Sequence, residues 1–103
     1  MKWQTTPQFE ADWERLPAEH RRAFRDVVPA FAKACDAYVA RRGAQRWPAA
    51  PRVKPLTSAP GVWGMTWSFA GPDGRATFQF LTGEGEPAVL WRRIGTHTIY
   101  SRP

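Results

Sequence analysis

The sequence predicts an α+β fold in which an N-terminal helical hairpin packs on a small antiparallel β-sheet. Apolar residues recur at three- and four-residue spacing over the first 42 residues, which is the period of an amphipathic helix. After residue 62 apolar and small residues alternate, as they do in a strand with one buried face. Helices followed by strands are typical of an α+β domain. A chain of 103 residues has room for one domain, which spans 1–103.

The first elements are a short strand and a short helix. The strand is predicted over residues 2–5. Thr6 can cap the helix that follows, because Pro7 would occupy the first helical position, where proline is tolerated. The helix is expected to end near Leu16, since Pro17 disfavours helical geometry in the residue before it.

A second, longer helix is predicted from Ala18 to about Arg42. Pro29 lies inside it, so a kink or a break is expected there, and Gly43 is the expected terminator. Cys35 lies on the apolar face of this helix and is interpreted as a small buried side chain. Because Cys35 is the only cysteine, the chain can form neither an internal disulfide nor a thiolate metal cluster, which fits a reducing cytosol.

A basic loop separates the helices from the sheet. Residues 44–60 contain four prolines with Arg46, Arg52 and Lys54, a composition that allows an edge strand at most. From 63 to 69 every second residue is apolar, which predicts a strand. The sequence Gly71-Pro-Asp-Gly74 predicts a tight turn into a second strand over 75–80.

A third strand completes the predicted sheet. The glycine-rich segment 83–87 predicts another turn, and residues 88–94 then read as the last strand, ended by Gly95.

The charge of the chain favours a nucleic acid as partner. Fifteen Lys and Arg against nine Asp and Glu give a net charge of +6, and twelve of the fifteen are Arg. Guanidinium matches phosphate oxygens and stacks on bases, although an ordinary solvated basic surface would have the same composition. We find no secretion signal and no apolar stretch near the ~20 residues of a membrane span, so a cytoplasmic protein is expected. No metal-ligand spacing and no phosphate-binding glycine loop is present, so neither metal nor other cofactor is expected.

Four segments carry a resemblance to a known superfamily. They are Phe9-Glu-Ala-Asp-Trp-Glu-Arg-Leu16, Gly61-Val-Trp-Gly-Met-Thr-Trp67, Asp73-Gly-Arg-Ala-Thr-Phe78 and Arg93-Ile-Gly-Thr-His-Thr-Ile-Tyr100. Together with the order of elements, they resemble the RelE/ParE superfamily of type II toxin-antitoxin systems. The Gly-Thr-His sequence with an aromatic residue soon after it is similar to the YafQ-like branch, whose toxins cut mRNA on the ribosome.

The resemblance implies a function and its partners. It implies a metal-independent and ribosome-dependent mRNA endoribonuclease that inhibits translation and is controlled by a cognate antitoxin. The partners are then mRNA, the ribosome and the antitoxin, which is expected to cover the basic face with acidic residues. One departure is visible, because RelE-type toxins carry lysines in the strand that here reads Gly64-Met-Thr-Trp-Ser68. A site centred on histidine is therefore expected in place of a lysine-rich one.

Three residues are the candidates for catalysis. Cleavage without a metal requires proton transfer from the ribose 2′-hydroxyl and to the leaving 5′-oxygen, and stabilisation of charge on the phosphate. His97 is expected to transfer a proton, since imidazole changes its protonation state near neutral pH. Arg75 matches a catalytic arginine of RelE-type toxins and is expected to stabilise the phosphate. Tyr100 is expected to stack on a base or to donate from its phenol.

Three further residues are the candidates for binding RNA. Arg52 and Lys54 are expected to bind messenger or ribosomal RNA. Arg92 and Arg93 would lie on opposite faces of a regular strand, so at most one of them reaches the site. Arg93 is taken as the residue that binds RNA.

Each of these residues also has a structural interpretation. His97 could cap the strand end through a backbone hydrogen bond, and Arg75 could pair across strands with Asp73 or Glu84. Two other functions also fit the fold: a ParE-like inhibitor of DNA gyrase, and a domain that binds RNA or a partner without catalysis.

Overall fold

The computed structural model describes residues 2–40, 52–68, 74–81 and 87–103. The strands are β1 (Lys2–Thr5), β2 (Lys54–Pro55), β3 (Trp63–Thr66), β4 (Arg75–Leu81) and β5 (Ala88–Gly95). The helices are α1 (Pro7–Arg15) and α2 (Ala18–Ala40). A single turn of 3-10 helix, which we call the C-terminal turn, spans His97–Ser101. The expected helix terminator Gly43 and most residues of the two predicted sheet turns lie outside the described residues.

The start of α1 follows the sequence prediction. The Thr6 hydroxyl oxygen accepts a hydrogen bond from the Phe9 backbone N–H at 3.0 Å, and Pro7 is the first helical residue. The first N–H groups of a helix have no partner within the helix. The Thr6 hydroxyl supplies a partner for one of them, and Pro7 removes another because proline has no N–H.

Helix α2 runs from Ala18 to Ala40 without the break that Pro29 predicted. Pro29 is exposed, while Phe24 and Phe31 on either side of it are buried in the core. Burial of two phenylalanine side chains contributes about 3–6 kcal/mol, which offsets the cost of about 3 kcal/mol for proline in a helix.

The sheet has five strands in the order β1-β5-β4-β3-β2. The predicted meander of three antiparallel strands is present as β3, β4 and β5, and β2 is an edge strand of two residues. Strand β1 joins the other edge of the sheet and runs parallel to β5, so the whole sheet is mixed. The helices α1 and α2 supply the long connection that parallel pairing requires.

One face of the sheet is covered by the helices and holds the core. Phe31 of α2 is fully buried and contacts Phe78 of β4 and Trp91 of β5, with ring centroids 4.9 and 5.1 Å away. Cys35 is also fully buried, as predicted. The opposite face, which we call the outer face, carries the C-terminal turn above β4 and β5.

A β-bulge interrupts the pairing of β4 with β5. Thr77 is opposite Arg93, and the next residue, Phe78, is opposite Trp91. Arg92 is therefore an extra residue in β5, which resets the alternation of side chains along the strand.

Candidate functional site

The outer face brings together residues from four strands. In the sheet register Lys54 is opposite Gly64, Gly64 is opposite Thr77, and Thr77 is opposite Arg93. Residues that are opposite one another in adjacent strands project from the same face. Arg75 lies two residues before Thr77 in β4 and therefore projects from this face as well.

Tyr100 lies directly on Gly64. A Cβ atom built at position 64 would stand 2.5 Å from the Tyr100 hydroxyl oxygen and 2.9 Å from the ring carbon that carries it. Real side chains do not approach so closely, so only glycine lets the phenol reach this depth. The side chain of Tyr100 is half-buried, and its hydroxyl end lies next to Gly64 and Leu56.

Arg75 begins β4, at the edge of the same face. It is opposite Gly95, two residues before His97. Its guanidinium donates to the Gly74 backbone oxygen at 3.0 Å, and its own backbone oxygen accepts a hydrogen bond from the Trp67 indole at 2.8 Å. Because the buried Trp67 fixes this backbone, Arg75 extends from a rigid position.

His97 is the first residue of the C-terminal turn, and its side chain is exposed. Thr96 caps the turn, with its hydroxyl oxygen accepting from the Thr98 N–H at 3.4 Å. The Ser101 hydroxyl donates to the Thr98 backbone oxygen at 2.9 Å. These local bonds orient the turn so that His97 faces solvent and Tyr100 faces the sheet.

The residues after the C-terminal turn are tied back to the sheet. Arg92 donates to the Pro103 backbone oxygen at 3.0 Å and to the Gln79 side-chain oxygen at 2.7 Å. The Thr77 hydroxyl also donates to the Pro103 oxygen, at 3.2 Å. Arg93 donates to the Arg102 backbone oxygen at 3.2 Å. Both arginines thus reach the C-terminal segment, and the expectation that they lie on opposite faces is wrong because of the bulge at Arg92.

Arg93 also forms an ion pair with Asp12 of α1. The Arg93 Nε and Nη2 atoms lie 2.7 and 3.2 Å from the two carboxylate oxygens of Asp12. The carboxylate is 6% exposed and also accepts from the Ile94 N–H at 3.2 Å and from the Gln8 amide at 3.3 Å. Burial raises the pKa of Asp12, but the hydrogen bonds from Arg93, Ile94 and Gln8 outweigh it, so the pKa lies below its ordinary value.

Asp12 lies where β1 no longer covers the edge of β5. The register of β1 reaches Trp91, and the Thr6 hydroxyl then donates to the Arg92 backbone oxygen at 2.8 Å. Further along this edge of β5, the Ile94 backbone N–H donates to the Asp12 carboxylate. A side chain of α1 therefore replaces a strand as hydrogen-bond partner.

The two basic residues from the loop lie at the far edge of the sheet. Arg52 and Lys54 are both exposed, and Lys54 is in β2 on the row that leads to Gly64. Arg52 has a backbone φ of 34°, in the left-handed region that non-glycine residues seldom adopt.

Sequence reasoning missed four residues that support the site: Asp12, Thr77, Gln79 and Arg92. Asp12 had a detectable signal. It comes three residues after Phe9, on the apolar face of an amphipathic helix, and a buried carboxylate requires a partner. The other three depend on the bulge and on the path of residues 102–103, which no local pattern reveals.

A groove with a volume of about 410 Å³ lies away from the outer face, between β1 and the helices. Its apolar lining comes from Trp3, Phe9, Trp13, Phe24, Val28 and Trp91. Trp3 is 38% exposed, and Glu10 and Glu14 also line the groove. The groove is thus aromatic, with two acidic side chains on a chain that is basic as a whole.

Solved structures of similar fold are toxins of the predicted superfamily. A YoeB/ParE toxin from Agrobacterium tumefaciens superposes with a TM-score of 0.65 at 15% identity, over 94% of this chain and 99% of the other. A RelB-RelE antitoxin-toxin complex from Methanococcus jannaschii gives 0.57 at 11% identity, over 97% and 99%. The predicted RelE/ParE-like fold is confirmed.

Comparison of the sequence with known families and proteins gives no match. No family model matches the chain, and no curated protein matches it. Within the described ranges, neither helix is long and apolar enough to cross a membrane.

Proposed function

We propose that this protein is the toxin of a type II toxin-antitoxin system and cleaves mRNA on the ribosome, in the cytoplasm, without a metal. The observation that carries the proposal is the common location of Arg75, Tyr100 and Lys54 on the outer face, with His97 on the turn that covers it. The fold shared with YoeB/ParE and RelE toxins supports it.

Each of the three catalytic candidates has one part in the reaction. His97, exposed at the start of the turn, exchanges a proton with the ribose 2′-hydroxyl or with the leaving 5′-oxygen. Arg75 donates hydrogen bonds to the scissile phosphate as its negative charge grows. Tyr100 stacks on or hydrogen-bonds the base beside that phosphate, from the fixed position that Gly64 allows.

RNA binding is proposed for Arg52 and Lys54, which are both exposed; Lys54 lies in the edge strand β2 on the outer face. Arg93 was also predicted to bind RNA. Its guanidinium is engaged by Asp12 and the Arg102 backbone, so we give it a role in holding the site in shape.

The antitoxin is proposed to use two kinds of contact. Its acidic residues would cover the basic outer face. An apolar segment with Lys or Arg would occupy the aromatic groove, because Glu10 and Glu14 line it. We expect Trp3→Ala to weaken binding of the cognate antitoxin at least about tenfold while RNA cleavage is retained. Unchanged affinity would exclude the groove from the interface.

The nuclease proposal is tested by mapping mRNA ends by primer extension in a purified translation system. Wild type is compared with His97→Ala, with and without ribosomes, and Glu19→Ala, on an exposed part of α2, serves as the control. Discrete cuts that need ribosomes, vanish in His97→Ala and persist in Glu19→Ala are expected. Intact mRNA at every wild-type concentration would contradict the proposal.

The same preparations separate the two alternative functions. Inhibition of DNA gyrase supercoiling by the wild-type protein, with mRNA intact, would identify a ParE-like toxin. RNA binding without cleavage and without gyrase inhibition would identify a binding domain on the toxin fold.

A further inference from the structure

Asp12 holds an arginine in two-point contact from outside the candidate site. Its carboxylate faces Arg93 at 2.7 and 3.2 Å and lies at the edge of β5. It belongs to α1, whose apolar residue Phe9 packs in the core on the other side of the sheet. A contact of this length with a carboxylate that is 6% exposed restricts the guanidinium to one orientation.

The orientation of Arg93 determines where its third nitrogen points. With Nε and Nη2 on Asp12, the Nη1 atom donates to the Arg102 backbone oxygen at 3.2 Å. Arg93 therefore joins α1 to the segment that leaves the C-terminal turn. Without the carboxylate, this long side chain would gain rotamers directed at solvent.

The C-terminal turn is fixed at both of its ends. Before the turn, Gly95 is held in the sheet opposite Arg75. After the turn, residues 102 and 103 are held by Arg93, Arg92 and Thr77. Without the Arg93 bond, residue 102 is released, and the segment after the turn is held only through Pro103, by Arg92 and Thr77. The turn that places His97 over the outer face and Tyr100 on Gly64 then has more freedom at its second end.

We propose that Asp12 is a positioning residue for His97 and Tyr100 and acts on them through Arg93. This inference rests on the proposed function for its effect on cleavage. Its structural part, the immobilisation of the C-terminal turn, stands without it. A misplacement of catalytic groups by about 1 Å lowers rates by roughly a hundredfold, so a small shift of the turn is enough to be measured.

The test compares Asp12→Asn with Asp12→Glu, which keeps the carboxylate, and with Asp26→Asn on an exposed part of α2. Hydrogen exchange is followed at the N–H groups of Ile99 and Arg102, which donate to Thr96 and Ile99 within the turn. We expect faster exchange in Asp12→Asn, partial restoration in Asp12→Glu, and wild-type exchange in Asp26→Asn.

Cleavage of ribosome-bound mRNA gives the second readout. In Asp12→Asn we expect kcat to fall roughly ten- to a hundredfold while KM stays within about twofold, because RNA-binding residues at the far edge of the sheet are untouched. A general loss of folded protein would instead lower cleavage in proportion to the unfolded fraction seen by circular dichroism.

A second variant covers the case in which Asp12→Asn does not fold. Arg93→Lys keeps a charge opposite Asp12 but lacks the planar fork whose three nitrogens contact both carboxylate oxygens and the Arg102 oxygen in one orientation, so the same faster exchange and lower kcat are expected. Wild-type exchange at Ile99 and Arg102 in the folded variants would overturn the inference, as would unchanged kcat despite faster exchange. If the wild type cleaves no RNA, the nuclease proposal fails, and the exchange data still decide whether Asp12 immobilises the turn.

Discussion

The absence of a side chain at Gly64 makes room for Tyr100 in the candidate site. A Cβ at position 64 would stand 2.5 Å from the Tyr100 hydroxyl oxygen and 3.1 Å from a Leu56 methyl group. Gly64→Ala must therefore displace the phenol. We expect this change to lower the free energy of unfolding by about 1–3 kcal/mol, the usual cost of overpacking.

The same substitution should lose its cost when Tyr100 is absent. Alanine in a strand interior is favoured over glycine by roughly 0.5–1 kcal/mol through the entropy of the unfolded chain. In a Tyr100→Ala background, Gly64→Ala is thus expected to be neutral or slightly stabilising in urea denaturation. Equal destabilisation in both backgrounds would show that the phenol does not rest on Gly64.

Cys35 illustrates how burial suppresses the chemistry of a side chain. Burial raises the pKa of the Cys35 thiol to about 12, and the nearby Asp36 carboxylate contributes in the same direction. The reactive thiolate is therefore scarce at pH 8. We expect Ellman's reagent to label the native protein negligibly and to label it in parallel with unfolding as urea is added. Rapid labelling without urea would contradict the buried position.

Helix α1 and strand β5 are joined by a carboxylate that titrates below its ordinary range. The folded pKa of Asp12 lies below the unfolded value of 3.8, so its ionised form favours the native state. This stabilisation is complete above the unfolded pKa and is lost as the pH falls through the lower, folded value. The junction between α1 and β5 is consequently sensitive to acid.

Asp12→Asn should reveal that dependence. We expect the variant to be less stable than wild type by about 2–3 kcal/mol at pH 7, the value of hydrogen bonds to a charged group. The difference should shrink as the pH falls from 4 toward 2, because wild type then loses the same charge. Chemical denaturation at several pH values measures it, with Asp26→Asn as reference. A difference that is independent of pH would show that the Asp12 charge is not involved.

Elements with a local signature were predictable from the sequence, and those set by distant contacts were not. Thr6 and Pro7 mark the start of α1, and alternation marks β4 and most of β5, because these signals depend on neighbours in the chain. Helix α2 continues through Pro29 because Phe24 and Phe31 are buried against the sheet. The spacing of apolar residues along the helix does not show how much that burial stabilises it. The bulge at Arg92 has no signal in the sequence, because one extra residue in a strand does not differ in type from its neighbours.

The sequence names candidate residues for the site, but it does not give their arrangement. Arg75, Lys54 and Tyr100 do share the outer face. Their proximity follows from strand register and from the fold of residues 97–103, whereas Asp12 enters from the opposite end of the chain. Long-range pairing of this kind is not encoded in any single segment.

At the scale of the whole molecule, the net charge of +6 attracts polyanions in general, and RNA is the proposed partner. If Arg52 and Lys54 contact phosphates, replacing either by Gln should reduce the slope of log affinity against log salt by roughly 0.7, the value for one single-strand contact. Arg22→Gln, on an exposed part of α2, is the matched control and should leave the slope unchanged. Fluorescence anisotropy with labelled single-stranded RNA between 50 and 300 mM salt, roughly the range over which such contacts weaken, measures it.

Equal slopes for all four proteins would show that RNA does not lie along β2. A reduced slope in Arg22→Gln as well would indicate that RNA is held by charge in general and not by the outer face.

The parallel pairing of β1 with β5 has a consequence for how the protein is made. Lys2 is aligned with Ala88, so β1 is synthesised well before β5, the strand with which it pairs. A nascent chain interrupted before residue 88 lacks the strand that β1 joins, the partner of Asp12 and the turn that carries His97. The candidate site can therefore assemble only after β5 and the C-terminal turn have been synthesised.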